Sequence, residues 1–87
     1  MTKMADLLAK GLISAGDKII WEQKNLGKKH IATITSGGKI KTADGKEHST
    51  PSGAGKSLNN GKSIDGWLVW KTEKNGEPLD ELRKRLS

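Results

Sequence analysis

Three tryptophans are the only large aromatic rings in this chain, which has no Phe and no Tyr among its 87 residues. Any core must therefore be assembled around Trp21, Trp67 and Trp70, because these indoles have to supply most of the large-ring packing. Hydrophobic residues make up only 32 % of the sequence, but they are clustered. A single compact domain over 1–87 is expected rather than a disordered segment. With no Cys, disulfides, thiolate zinc sites and cysteine nucleophiles are excluded together.

Met4, Leu7, Leu8 and Leu12 recur at helical spacing, which predicts a short amphipathic helix over 4–11 that closes at Gly11. Residues 14–17 read as a turn into a strand at 18–22, and a second turn at 25–28 leads to a strand at 30–35. Ser36-Gly37-Gly38 makes a tight hairpin into 39–42, and Asp44-Gly45 signals another, with 46–49 as its short polar return. Thr50-Pro51 opens a central helix. Thr50 or Ser49 can cap it, and Pro51 is tolerated in the first turn, where its missing N–H would be unpaired anyway. Gly53 and Gly55 weaken this helix on propensity, so packing or a ligand has to support it. Residues 64–71, with Trp67, Val69 and Trp70, predict the strongest strand in the chain, Trp67 and Val69 on one face and Leu68 and Trp70 on the other. Leu79, Leu82 and Leu86 line one face of a closing helix. The expected fold is α+β: a short N-terminal helix, an antiparallel β-meander, a central short helix, a Trp-rich strand and a C-terminal helix.

The net charge of +6 is unevenly placed. Acidic and basic side chains cancel over 1–23 and again over 63–87. The middle, 24–62, carries Lys24, Lys28, Lys29, Lys39, Lys41, Lys46, Lys56 and Lys62 against only Asp44 and Glu47. The same stretch holds seven of the eleven Gly, so cationic side chains share a segment with backbone that an anion can approach closely. A solvated lysine-rich surface would look the same residue by residue; concentration in one segment favours a polyanionic partner. No apolar run approaches the roughly 18–20 residues of a membrane span. The first residues mix acids with short apolar stretches, unlike a secretory signal. The expected location is cytoplasmic, associated with the nucleoid.

Ser52-Gly53-Ala54-Gly55-Lys56-Ser57 resembles the end of a phosphate-binding loop, but Thr50 stands where the full pattern needs a Gly, and 87 residues cannot supply the parallel α/β architecture. What survives is a helix start whose N–H groups could meet a phosphate, with Lys56 on the same element; a plain helix cap explains the same residues. His30 and His48 have no Asp, Glu or His around them at metal-ligand spacing, so neither a metal nor a cofactor is expected. Nothing positions a nucleophile with a base, and the chain is expected not to be an enzyme. Trp21 has base stacking as its alternative to the core.

Several segments read together resemble the restriction enzyme adenine methylase associated family, RAMA, over about residues 6–83. Gly11-Leu12-Ile13-Ser14-Ala15-Gly16-Asp17-Lys18-Ile19 matches the family's opening turn into the first strand. His30-Ile31-Ala32-Thr33-Ile34 with Gly38-Lys39-Ile40 matches its hairpin, and Thr50 to Ser57 its central "SPSGAAKA". Asp65-Gly66-Trp67-Leu68-Val69-Trp70 corresponds to "NGWxFW", and Leu79-Asp80-Glu81-Leu82-Arg83 to the final "LxxLR" helix. Asp65 replaces the usual Asn, and Gly55 the usual Ala. The resemblance implies DNA association beside adenine methyltransferases and restriction enzymes, and for some relatives recognition of methylated adenine.

The reading that joins these observations is a non-catalytic module binding double-stranded DNA, with N6-methyladenine as the modification it would read. Lys28, Lys29, Lys39, Lys41, Lys46, Lys56 and Lys62 would hold phosphates, and the helix start at Ser52 and Gly53 would seat one against its N–H groups. Base or modification readout would come from Ser49, Thr50, Ser52 and Asp65, by motif position. Asp65 has a second reading as a turn residue. The rival is a protein-interaction module that docks a restriction or methyltransferase subunit through the sheet, its lysines merely solubilising.

Overall fold

The computed structural model describes residues 3–86. Helix α1 (Met4–Ala9) leads to strands β1 (Lys18–Gln23), β2 (Lys28–Ile34), β3 (Ile40–Thr42) and β4 (Glu47–His48), then α2 (Pro51–Leu58), a single turn α3 (Gly66–Val69), β5 (Lys71–Thr72) and α4 (Leu79–Lys84). The strands form one antiparallel sheet in the order β4-β3-β2-β1-β5, so the expected meander is present and β5 joins its far edge beside β1. The fold is α+β.

Register decides which side of the sheet faces inward. Ile19 pairs with Ala32, Ile34 with Ile40, and Ala32 with Thr42, and all of these are buried. With Trp21 they form the sheet's share of a core completed by Met4 and Leu7 of α1, Ala54 of α2, Trp67 and Trp70, and Leu79 and Leu82 of α4. The opposite face carries Lys18, Ile20, Glu22, Lys29, Ile31 and Lys41 and stays open, with Ile31 43 % exposed.

The segment expected as a Trp-rich strand is instead one helical turn followed by a two-residue strand. The Asp65 side chain accepts from the Trp67 amide (3.1 Å) and its carbonyl from Leu68 (3.1 Å), which starts a turn that Trp70 N–H closes on Gly66. Helical spacing places Trp67 and Trp70 three apart on one face; both are buried and Leu68 is left 54 % exposed. The opposite-face assignment of the two indoles is therefore corrected, while all three Trp do reside in the core. Trp70 packs edge-on against Trp21 at 6.0 Å, and its Nε1–H donates to the Pro51 carbonyl at 3.1 Å, satisfying the buried indole.

That contact depends on Gly66. A Cβ there would lie 2.1 Å from the Pro51 carbonyl carbon and 2.4 Å from the Ser52 nitrogen, so only glycine lets α3 rest on the first peptide of α2. Gly55 answers the propensity objection to α2 in a similar way. It is buried, and a Cβ on it would reach the Ile64 γ-methyl at 2.7 Å, so packing supports this glycine-rich helix.

Candidate functional site

An antiparallel meander alternates its connections between two ends of the sheet. The β1–β2 and β3–β4 connections share one end, and the β2–β3 connection lies at the other, where α2 also begins. Helix α2 then runs back, and its far end meets the root of the β1–β2 hairpin, where Gln23 Nε2 donates to Asn59 Oδ1 at 3.3 Å. The Asn59 amide donates in turn to the Lys62 carbonyl at 3.3 Å. Lys24, Lys28 and Lys29 flank the first connection, Lys46 lies in the second, Lys56 is in the last turn of α2, and Lys62 follows it. Six of the eight central lysines are thus gathered towards this hairpin end. Lys39 belongs to the opposite turn, and Lys41 to the open sheet face with Lys18, Lys29 and Lys71.

All eight central lysines are exposed, and among the described residues none is in an ion pair. The ion pairs there belong to the C-terminal region: Arg83 with Asp80, Lys84 with Asp80 (3.6 Å) and Glu81 (3.2 Å), and Arg85 with Glu77. Of the carboxylates on the hairpin-end connections, Asp44 is engaged by the Thr42 hydroxyl and by the Lys46 amide at 3.1 Å, which hold it below its ordinary value.

The hairpin root is braced by a part-buried polar chain. Gln23 is only 8 % exposed, and its Oε1 lies 2.6 Å from His30 Nε2. Because Gln23 spends its amide on Asn59, Oε1 is the acceptor and His30 carries its proton on Nε2. The ring rests against Trp21 at a centroid distance of 5.0 Å. Burial, and then the charge of Lys28, hold the His30 pKa below its ordinary value, so the imidazole is neutral at pH 7.

At the other end the polar residues picked out by motif position are occupied with capping. Thr50 Oγ1 accepts from Gly53 N–H at 2.9 Å, Ser52 Oγ from Gly66 N–H at 3.0 Å, and Asp65 Oδ1 from Trp67 N–H. Pro51 has no N–H, and Gly66 lies over the Ser52 amide. The phosphate seat expected on this helix start is therefore filled by the protein's own groups, and Asp65 serves as the cap of α3. Lys56 sits five residues into α2, at the opposite end of the helix from Thr50.

A family sequence model, Restriction Enzyme Adenine Methylase Associated, matches residues 1–87. The chain belongs to the RAMA family. No curated protein matches it. The family is named for its association with restriction enzymes and adenine methylases, and in this RAMA chain the signature segments have identifiable structural duties. Gly11 and Gly16 take left-handed backbone (φ 72° and 90°) in the turn where Asp17 accepts from Ser14 N–H at 2.9 Å. Gly38 (φ 80°) comes so close to α1 that a Cβ would stand 3.0 Å from the Ala5 backbone. Gly66 seats α3, and Thr50 caps α2.

Two of the predicted readers, Ser49 and Thr50, do border a groove of about 510 Å³. Buried Met4, Pro51 and Trp67 form its floor, and Lys3 and Arg83 complete its rim. The Arg83 guanidinium lies 4.4 Å from the centroid of the Trp67 ring. Sequence reasoning missed Lys3, Trp67 and Arg83 as groove residues. The one local signal was Arg83 at the close of the leucine-rich motif.

Proposed function

We propose that this RAMA chain is a non-catalytic double-stranded-DNA-binding module of restriction-modification systems, docking through its hairpin end. The observation that carries this reading is the gathering of Lys24, Lys28, Lys29, Lys46, Lys56 and Lys62 at one end, exposed and without ion pairs among the described residues. Unpaired lysines release counterions from a duplex without first breaking internal ion pairs. The finer proposal is discrimination of N6-methyladenine, which needs an apolar or aromatic wall. Its support is the groove floored by Met4, Pro51 and Trp67. That groove is about one α2 length, ~12 Å, from the lysine cluster, so it would receive a nucleotide displaced from the docked stack.

An amide-resolved NMR titration with matched duplexes, one unmodified and one carrying N6-methyladenine, tests both levels. Shifts at 24–29, 46 and 56–62 with either duplex are the result for docking. Added shifts at Trp67 and Thr50 with the methylated duplex alone are the result for reading. The second reading is docking of a restriction or methyltransferase subunit on the open sheet face, favoured by exposed Ile31 and its half-buried cross-strand partner Ile20. No shift with any duplex hands the function to it.

A further inference from the structure

Leu26 is the most exposed large hydrophobic side chain among the described residues, at 55 %. It occupies the tip of the β1–β2 hairpin, in a 3₁₀ turn over Lys24–Leu26 that Gly27 closes in left-handed conformation (φ 64°), its N–H donating to the Lys24 carbonyl at 3.2 Å. The turn opens on one cationic side chain, Lys24, and is followed by two more, Lys28 and Lys29, with Glu22 in the register opposite Lys29. The tip is also held. β1 and β2 pair over six residues up to Gln23 and Lys28, and Gln23 is tied to Asn59 and His30. An apolar side chain presented on a braced, lysine-flanked tip is costly to leave in water. It has the chemistry of side chains that enter the minor groove and partly unstack a base step.

We propose that this hairpin tip is an insertion wedge. Leu26 enters the minor groove of a duplex and unstacks one step, while Lys24, Lys28 and Lys29 hold the phosphates on either side. Gly27, which has open space around its Cα, lets the backbone approach the groove walls. The three lysines favour a polyanion over a neutral or basic protein face. This inference rests on the DNA reading above and adds a deformation of the duplex, so the two fail separately.

The test uses the full chain with a duplex of about 20 bp, end-labelled for energy transfer and carrying 2-aminopurine at successive steps. The wild type is expected to shorten the end-to-end distance by a bend of at least about 20° and to raise 2-aminopurine emission at one step. Leu26→Ala, at an exposed position and checked for an unchanged melting curve, should lose the bend and the emission while keeping the salt dependence of binding. Leu26→Met should retain both. Binding by the wild type with neither bend nor emission would overturn the wedge and leave docking intact. Bending that persists in Leu26→Ala would also overturn it, and absence of any binding would overturn both readings.

Discussion

If the hairpin end holds DNA through its six lysines, the dependence of affinity on salt is set by how many of them meet phosphate. Each neutralised phosphate contributes about 0.9 to the slope of log affinity against log salt, so six contacts give a slope near −5. Between 50 and 200 mM salt that corresponds to a loss of roughly a thousandfold. Single reversals divide the molecule by its ends. Lys62 is exposed, lies beyond α2, and is linked to the hairpin root through Asn59 and Gln23. Lys62→Glu should reduce the slope by about 1 and weaken binding at every duplex sequence alike. Lys74 is also exposed but sits in the turn after β5, at the opposite end. Lys74→Glu changes the net charge by the same amount and should leave the slope unaltered. Fluorescence anisotropy with one labelled duplex across a salt series measures all three proteins. A wild-type slope near zero, or equal losses in the two variants, would refute the hairpin-end placement, since general charge would then account for the binding.

Two further expectations concern the fold itself. Gly66→Ala forces a Cβ against the Pro51–Ser52 peptide and threatens the Trp70–Pro51 hydrogen bond, a loss of about 3 kcal/mol or more; urea unfolding that shows under 1 kcal/mol would contradict the α2–α3 contact. Because burial and Lys28 depress the His30 value in the folded state, the unfolded chain takes up the proton first. The stability His30 contributes is complete above about pH 6.5 and declines as the pH falls below it. Thermal melts from pH 7 to 5 should show a decline that His30→Gln abolishes. Asp44 and Asp80, lowered by Thr42 and Arg83 respectively, lose their contribution only further down, below about pH 4.

Where local chemistry decides, the sequence was readable. Thr50 and Pro51 announce the start of α2 because a cap and a first-turn proline act within one turn, and Gly45 marks its hairpin for the same reason. The stretch from Gly66 to Trp70 was misread because both a period of two and a period of three to four accommodate so few residues. What decides between them is the close approach of Gly66 to Pro51, a contact distant in sequence. The lysine segment was legible as charge but not as a surface, since a meander returns alternate turns to opposite ends and so parts Lys39 from Lys28. The groove was hidden for a related reason: Lys3 and Arg83 stand at opposite extremes of the chain, and only folding brings them to one rim.

The residues that carry the family resemblance and those free to meet a partner are largely different sets. Gly38, Thr50, Ser52, Asp65 and Gly66 are each accounted for by a close backbone contact or a capped amide. Substituting them therefore tests whether the chain folds, and a loss of binding in such variants says nothing about recognition. Lys24, Leu26, Lys28, Lys29 and Lys62 are exposed side chains with no ion pair or side-chain hydrogen bond among the described residues to hold them. A domain built this way keeps one scaffold of glycine contacts and caps and leaves the side chains of one hairpin tip outside it. On the DNA reading, exchanging the side chains of Lys24, Leu26, Lys28 and Lys29 while keeping Gly27 is thus the change that would alter binding with the least effect on stability.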